Sequence, residues 1–185
     1  MLSPGTKAPD FKTTACVSIE AGKEFKPVSS KDEAYKGKWI VLYTYPKDFT
    51  FVCPTEIVEF DKKQKDLADR GAVLLGGSTD NEFSHLAWRN SHADLKKISH
   101  PLLFVNPTMA QAFGLLQPEA GVALRATYII DPQGVVRYAA ANDLSVGRNV
   151  DEVVRVLDGL QTGELCACNW KKGEETLTSQ LKKAV

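Results

Sequence analysis

The sequence predicts an α/β protein built on a mixed β-sheet covered by helices on both faces. Three observations carry this. Apolar runs rich in β-branched residues, such as Ile40-Val41-Leu42, read as buried central strands. Segments of helical period separate them. A strong turn, Asp131-Pro132-Gln133-Gly134, then marks a late hairpin, which one more amphipathic helix follows.

Taken in order, Ala15–Ile19 and Glu24–Val28 flank Glu20-Ala21-Gly22-Lys23 and predict a small hairpin. Lys38–Tyr45 is the first strong strand. The loop after it sets Cys53 on the first turn of a helix, where Pro54 fits because its missing N–H costs nothing there. That helix carries Ile57, Phe60, Leu67 and Ala68 and is expected to end before Gly71. Ala72–Gly76 is the next strand. Ser78-Thr79-Asp80-Asn81 supplies cap chemistry for a helix from Glu82 to about Leu95, with Phe83, Leu86 and Ala87 expected inside. A short strand at Leu102–Val105 and a helix at Pro107–Phe113, closed by Gly114, lead to the hairpin Leu124–Ile130 and Val135–Ala140. Asn149 with Glu152 resembles a capping box for a helix burying Val150, Val153, Val154, Leu157 and Leu160 and stopping at Gly163. One domain over residues 1–163 is expected, followed by a polar C-terminal arm, 164–185, without internal repeats.

Composition narrows the function. With 23 Lys plus Arg against 23 Asp plus Glu the chain is neutral, which points to neither nucleic acid nor a membrane surface as partner. The N-terminal stretch has no apolar h-region and no run approaches transmembrane length, so a cytoplasmic location is expected. Four cysteines, at 16, 53, 166 and 168, are too sparse for a secreted disulfide framework. Cys16 lies in the first hairpin with nothing nearby in sequence to activate it, and a buried structural role is expected. Cys53 differs, because the N–H groups and dipole of a helix start favour negative charge and make a thiol easier to ionise. Cys166-Ala167-Cys168 is too short to imply a zinc site, and His85, His92 and His100 lack ligand-like spacing. No phosphate loop or cofactor motif occurs, so neither metal nor cofactor is expected.

The stretch YPKDFTFVCPTE, with GTKAPDF, STDNEFSHLAWRN, LRATYIIDPQG, VGRN and ELCACNW in the same order, resembles the typical two-cysteine peroxiredoxins, in particular the alkyl hydroperoxide reductase C group. The likeness covers nearly the whole chain. It implies a thioredoxin-like fold with a peroxidatic cysteine at Cys53. Pro46, Thr50 and Arg125 complete the active site, Glu56 and Arg148 orient the arginine, and Cys166 is the resolving cysteine. It also implies a hydroperoxide substrate, antiparallel homodimers joined through strand edges, and a ring of five dimers, with a disulfide to the partner chain. The Cys-x-Cys tail is similar to that of actinobacterial-type members. For these the resemblance implies an AhpD-type adaptor, thioredoxin or an AhpF-type protein as reductant. Cys168 then has two readings, an auxiliary redox thiol or a spare exposed one. The Gly-Gly-Leu-Gly insertion and the C-terminal Tyr-Phe pair of over-oxidation-prone relatives are absent, so a robust enzyme is expected.

Chemistry sets what these residues must supply. Full ionisation of an ordinary thiol gains at most about 30-fold near neutrality. The remainder must come from holding the two oxygens in line and stabilising charge as their bond stretches. A hydroxyl such as that of Thr50 can accept from a peroxide while donating to sulfur. Two rivals remain. A thioredoxin-type oxidoreductase wants Cys-x-x-Cys, but the third residue after Cys53 is Glu56. A chaperone role of an assembled ring could coexist with catalysis.

Overall fold

The computed structural model describes residues 1–183. They fall into two compact units, residues 1–148 and the described residues from 149 onward. The first holds β1 (Lys12–Cys16), β2 (Phe25–Ser29), β3 (Trp39–Thr44), β4 (Ala72–Ser78), β5 (Leu102–Phe104), β6 (Leu116–Gln117), β7 (Val122–Ala123), β8 (Arg125–Ile130) and β9 (Val136–Asn142). Its helices are α1 (Val52–Lys62), α2 (Gln64–Ala68), α3 (Glu82–Ser91) and α4 (Pro107–Phe113); the second unit holds α5 (Val150–Thr162) and α6 (Leu177–Lys183).

Seven strands form one sheet in the order β2-β1-β5-β4-β3-β8-β9, with β6 and β7 as a separate hairpin. The pairs β3–β4 and β4–β5 are parallel and the others antiparallel, so the sheet is mixed as expected. β3 lies in its interior, and alternation along it gives each face a different task. Ile40 and Leu42 join a core with Met109, Ala110 and Phe113 of α4. Tyr43 stacks on Phe60 of α1, with ring centroids 3.9 Å apart, a contact worth about 0.5–1.5 kcal/mol beyond area burial. Tyr43 pairs in register with Gly76 of β4. A Cβ at Gly76 would lie 2.4 Å from the Tyr43 ring, so only glycine lets that ring occupy its place.

The helices depart from the sequence reading in informative ways. The helix expected to run unbroken toward Gly71 divides at Lys63, which leaves helical geometry (φ −91°, ψ 1°). α3 begins as expected, with the Asn81 side chain accepting from the Ser84 N–H, but stops at Ser91. The His92 ring then accepts from the N–H groups of Asp94 and Leu95, offering the backbone an alternative to the helix. The inward face of α3 is also different. Phe83 is 63% exposed, and His85, Trp88 and Arg89 are buried instead. α4 matches its expected limits, with Asn106 as cap and Gly114 in the left-handed region. The β8–β9 hairpin turns where expected, because Asp131 Oδ1 accepts from the N–H groups of both Gln133 and Val135.

In the second unit Asn149 caps α5 by accepting from the Glu152 N–H. The Glu152 carboxylate pairs with Arg155 rather than closing a capping box. Val150, Val153 and Leu157 are buried as expected, Val154 and Leu160 are only half-buried, and Asp158, which pairs with Lys172, is buried without having been expected. The segment after Gly163 folds along α5. Trp170 is buried, its indole N–H donates to the Glu174 carbonyl, and Arg155 Nη1 donates to the Trp170 carbonyl.

Candidate active site

Four of the residues expected at the site meet in the first unit around the start of α1. Cys53 is its second residue and is fully buried. No side chain caps this helix start and no acidic residue lies in its first turn. The positive end of the dipole is therefore left for the sulfur. Arg125, the first residue of β8, places Nη1 3.4 Å from Cys53 Sγ and 2.7 Å from Glu56 Oε2, while its Nε donates to the Leu144 carbonyl. Glu56, one turn along α1 from Cys53, receives a second guanidinium. Arg148 Nε and Nη2 each donate to it at 2.8 Å, and the Arg148 backbone N–H adds a bond at 3.0 Å.

Arg148 is fixed on every side. Its Nη1 donates to the Ala126 carbonyl, and its guanidinium lies over the Tyr43 and Phe60 rings at 5.3 and 5.4 Å. The Tyr43–Phe60 stack is thus also the floor of the arginine site. Two guanidinia against one carboxylate leave one positive charge, buried beside the sulfur. Removing the carboxylate should be costly. Glu56→Ala leaves both arginines unpaired in the interior, and urea unfolding is expected to report a loss of about 3–5 kcal/mol. A loss within the range of a surface substitution would contradict this.

The other expected residues are placed differently. Pro46 is buried at the exit of β3. Thr50 lies in the turn before α1, and its hydroxyl donates to the Lys47 carbonyl at 2.9 Å; among the described residues no hydrogen bond joins it to Cys53. Between them Phe49 holds φ 55°, left-handed and costly for a non-glycine residue, by about 1–3 kcal/mol. All four cysteines are free thiols. In the second unit Cys166 is half-buried, with Sγ 3.5 Å from Thr162 Oγ1, and Cys168 is exposed. Cys16 is buried in β1 with Arg89 Nη1 3.8 Å from its sulfur, so a cation lies near it after all. Burial nevertheless pushes the thiol up, outweighing that guanidinium, and Cys16 is held protonated.

Sequence reasoning missed a group beneath the Thr50 turn, namely Tyr45, Asp48 and His85, linked by hydrogen bonds and buried. No local signal could have found it, because His85 is buried by partners distant in sequence, Asp48 and Leu103. Among the described residues no cluster of three or more His, Cys, Asp or Glu could hold a metal ion.

The AhpC/TSA family matches residues 4–139. Alkyl hydroperoxide reductase C of Mycolicibacterium smegmatis is 47% identical over 188 residues, spanning 97% of this chain and 95% of that protein. The solved structure of Mycobacterium tuberculosis AhpC superposes with a TM-score of 0.83 at 43% identity, covering 92% of this chain and 99% of that one. The reduced 2-Cys peroxiredoxin of Plasmodium vivax gives 0.84 at 36% identity, covering 93% and 91%. The fold is the thioredoxin-like α/β fold expected from the sequence. By the length of the match and the identity of its relatives, the chain belongs to the AhpC/TSA family.

Proposed function

We propose that this thiol-dependent peroxidase reduces hydrogen peroxide and organic hydroperoxides at Cys53. The observation that carries the reading is the Arg125 guanidinium 3.4 Å from a buried sulfur at an uncapped helix start. The Cys53 thiolate attacks the terminal oxygen of the hydroperoxide. The O–O bond breaks, the leaving oxygen takes a proton to become water or an alcohol, and Cys53 becomes a sulfenic acid. Arg125 and the N–H groups of the helix start stabilise charge on sulfur and on the parting oxygens. Glu56 and Arg148 hold Arg125 in place. Pro46 walls the pocket against water. Thr50 steers the O–O group once its hydroxyl exchanges the Lys47 carbonyl for the peroxide.

Cys166 then attacks the Cys53 sulfur. Hydroxide leaves, is protonated to water, and a disulfide remains, with Cys166 belonging to the partner subunit. Cys168 passes the oxidation on to a thiol–disulfide donor, an AhpD-type adaptor, thioredoxin or an AhpF-type protein. The homodimer, and a ring of five such dimers, find support in two surfaces. β9 is an edge strand of the sheet, its first residue, Val136, bonded to Gly5 and Thr6, and Phe49, Phe51 and Phe83 are 59%, 94% and 63% exposed. A cytoplasmic location accords with the absence, among the described residues, of any helix long and apolar enough to cross a membrane.

The test is consumption of hydrogen peroxide and an organic hydroperoxide against a panel of thiol donors, with non-reducing electrophoresis of the oxidised protein. Turnover and a dimer-sized band that Cys166→Ser removes are expected. Absence of turnover with every donor would remove the reading, and a band that persists in Cys166→Ser would remove the assigned disulfide.

A further inference from the structure

The turn that presents Thr50 is anchored from below by a charged cluster that the steps above do not use. Asp48 Oδ1 accepts from the Tyr45 hydroxyl at 2.9 Å, and Oδ2 lies 2.8 Å from His85 Nδ1. The Asp48 N–H donates to Asp80 Oδ2 at 2.9 Å, and the Ser78 hydroxyl donates to the same oxygen at 2.6 Å. The second ring nitrogen of His85, Nε2, faces the Leu103 carbonyl at 3.0 Å. Asp48 and His85 are 5% and 0% exposed.

Hydrogen-bond chemistry places the protons here. A carbonyl only accepts, so Nε2 carries a proton. One further proton lies between Nδ1 and Asp48 Oδ2 and ties the ring to the carboxyl group away from water. Burial, and after it the Asp48 charge, holds the Tyr45 phenol well above its usual range, so Tyr45 stays a donor. His100 is as deeply buried and makes the contrast. Its Nδ1 faces Asp61, but its Nε2 faces the Tyr43 hydroxyl, which can donate. Burial pushes His100 down and Tyr43 up, leaving a neutral ring.

Asp48 sits one residue before Phe49, whose left-handed backbone makes the bend, and two before Thr50, whose hydroxyl closes the turn on Lys47. We propose that Asp48 and His85 are positioning residues for peroxide reduction, their buried hydrogen-bonded pair fixing the 47–50 turn and through it the hydroxyl of Thr50. Neither touches a reacting atom. The inference rests on the peroxidase reading and adds two residues to it. His85 meets Tyr45 and Asp48 from the end of β3 and the loop and the Leu103 carbonyl from β5. Asp80 stands beyond the Asp48 amide, and Arg89 lies one turn along α3.

The test uses the reduced full-length enzyme and three measurements. In nitrogen-15 spectra of the imidazoles, the ring assigned to His85 by its loss in His85→Gln is expected to carry a proton on Nε2. In His85→Ala the rate with hydrogen peroxide is expected to fall about tenfold or more through misplacement of the turn, while alkylation of Cys53 by iodoacetamide keeps its wild-type rate. In Asp48→Asn the amide can accept from Tyr45 and donate to His85, so the cluster stays bonded. Its peroxide rate is expected to be largely restored relative to Asp48→Ala, which is expected to fall as His85→Ala does. An Nε2 without its proton, a parallel fall in alkylation, or a fall in Asp48→Asn as large as in Asp48→Ala would each overturn the proposal. Should His85→Ala not fold, the spectrum and the comparison of the two Asp48 variants decide. A wild-type enzyme that consumes no peroxide defeats the peroxidase reading instead, and leaves the imidazole spectrum to be judged by itself.

Discussion

Cys53→Ser is expected to abolish peroxide reduction, leaving no more than the rate of an ordinary unactivated thiol. A serine hydroxyl at the same helix start is not appreciably ionised and forms no sulfenic acid. The remaining cysteines are poor substitutes. Cys16 is buried and its thiol pushed up, so Arg89 beside it does not make it a nucleophile. Cys166 and Cys168 lie in the second unit, on the segment after α5. Stopped-flow consumption of hydrogen peroxide by the reduced variant checks this, and a rate within a few-fold of wild type would contradict it.

Arg125→Gln is expected to slow the same step by about 10²–10³-fold, the cost of removing a preorganised donor aimed at developing charge. Three contacts go with it, to Cys53 Sγ, Glu56 and the Leu144 carbonyl. Glutamine keeps hydrogen-bonding capacity but no charge, and Glu56 is then left to Arg148 alone. Arg125→Lys should recover only part of the loss. A single ammonium restores charge but cannot span sulfur, carboxylate and carbonyl as the planar fork does. Single-turnover rates of the two variants test this, and full activity in the lysine form would show that charge alone suffices.

The fold was legible wherever hydropathy and local chemistry agree. The interior strand β3, the helix α4 between Asn106 and Gly114, and the Asp131 turn are set by residues within a few positions of one another. The inward face of α3 was not legible, because His85 and Arg89 are buried only by virtue of distant partners. These are Asp48, Leu103 and Ile98, which no pattern along the helix reveals. Phe83 looked like core and is exposed, its ring edge-on to Phe25 at 4.9 Å. At the site, the position of Cys53 followed from strand, loop and proline, but Arg125, Glu56 and Arg148 came from resemblance. Their meeting depends on β8 running antiparallel beside β3, which brings residues far apart in sequence to the start of α1. The Thr50 hydroxyl, placed on the Lys47 carbonyl, shows the limit of such transfer, since a motif gives the residue but not its rotamer.

The most direct measurement is mass analysis of the reduced Cys166→Ser variant after one equivalent of hydrogen peroxide, with a sulfenic-acid trap present. A single added oxygen, trapped on the peptide containing Cys53, is the predicted result. Oxygen found on Cys16 or Cys168 instead, or no oxidation while peroxide is consumed by the wild type, would contradict the assignment of the nucleophile.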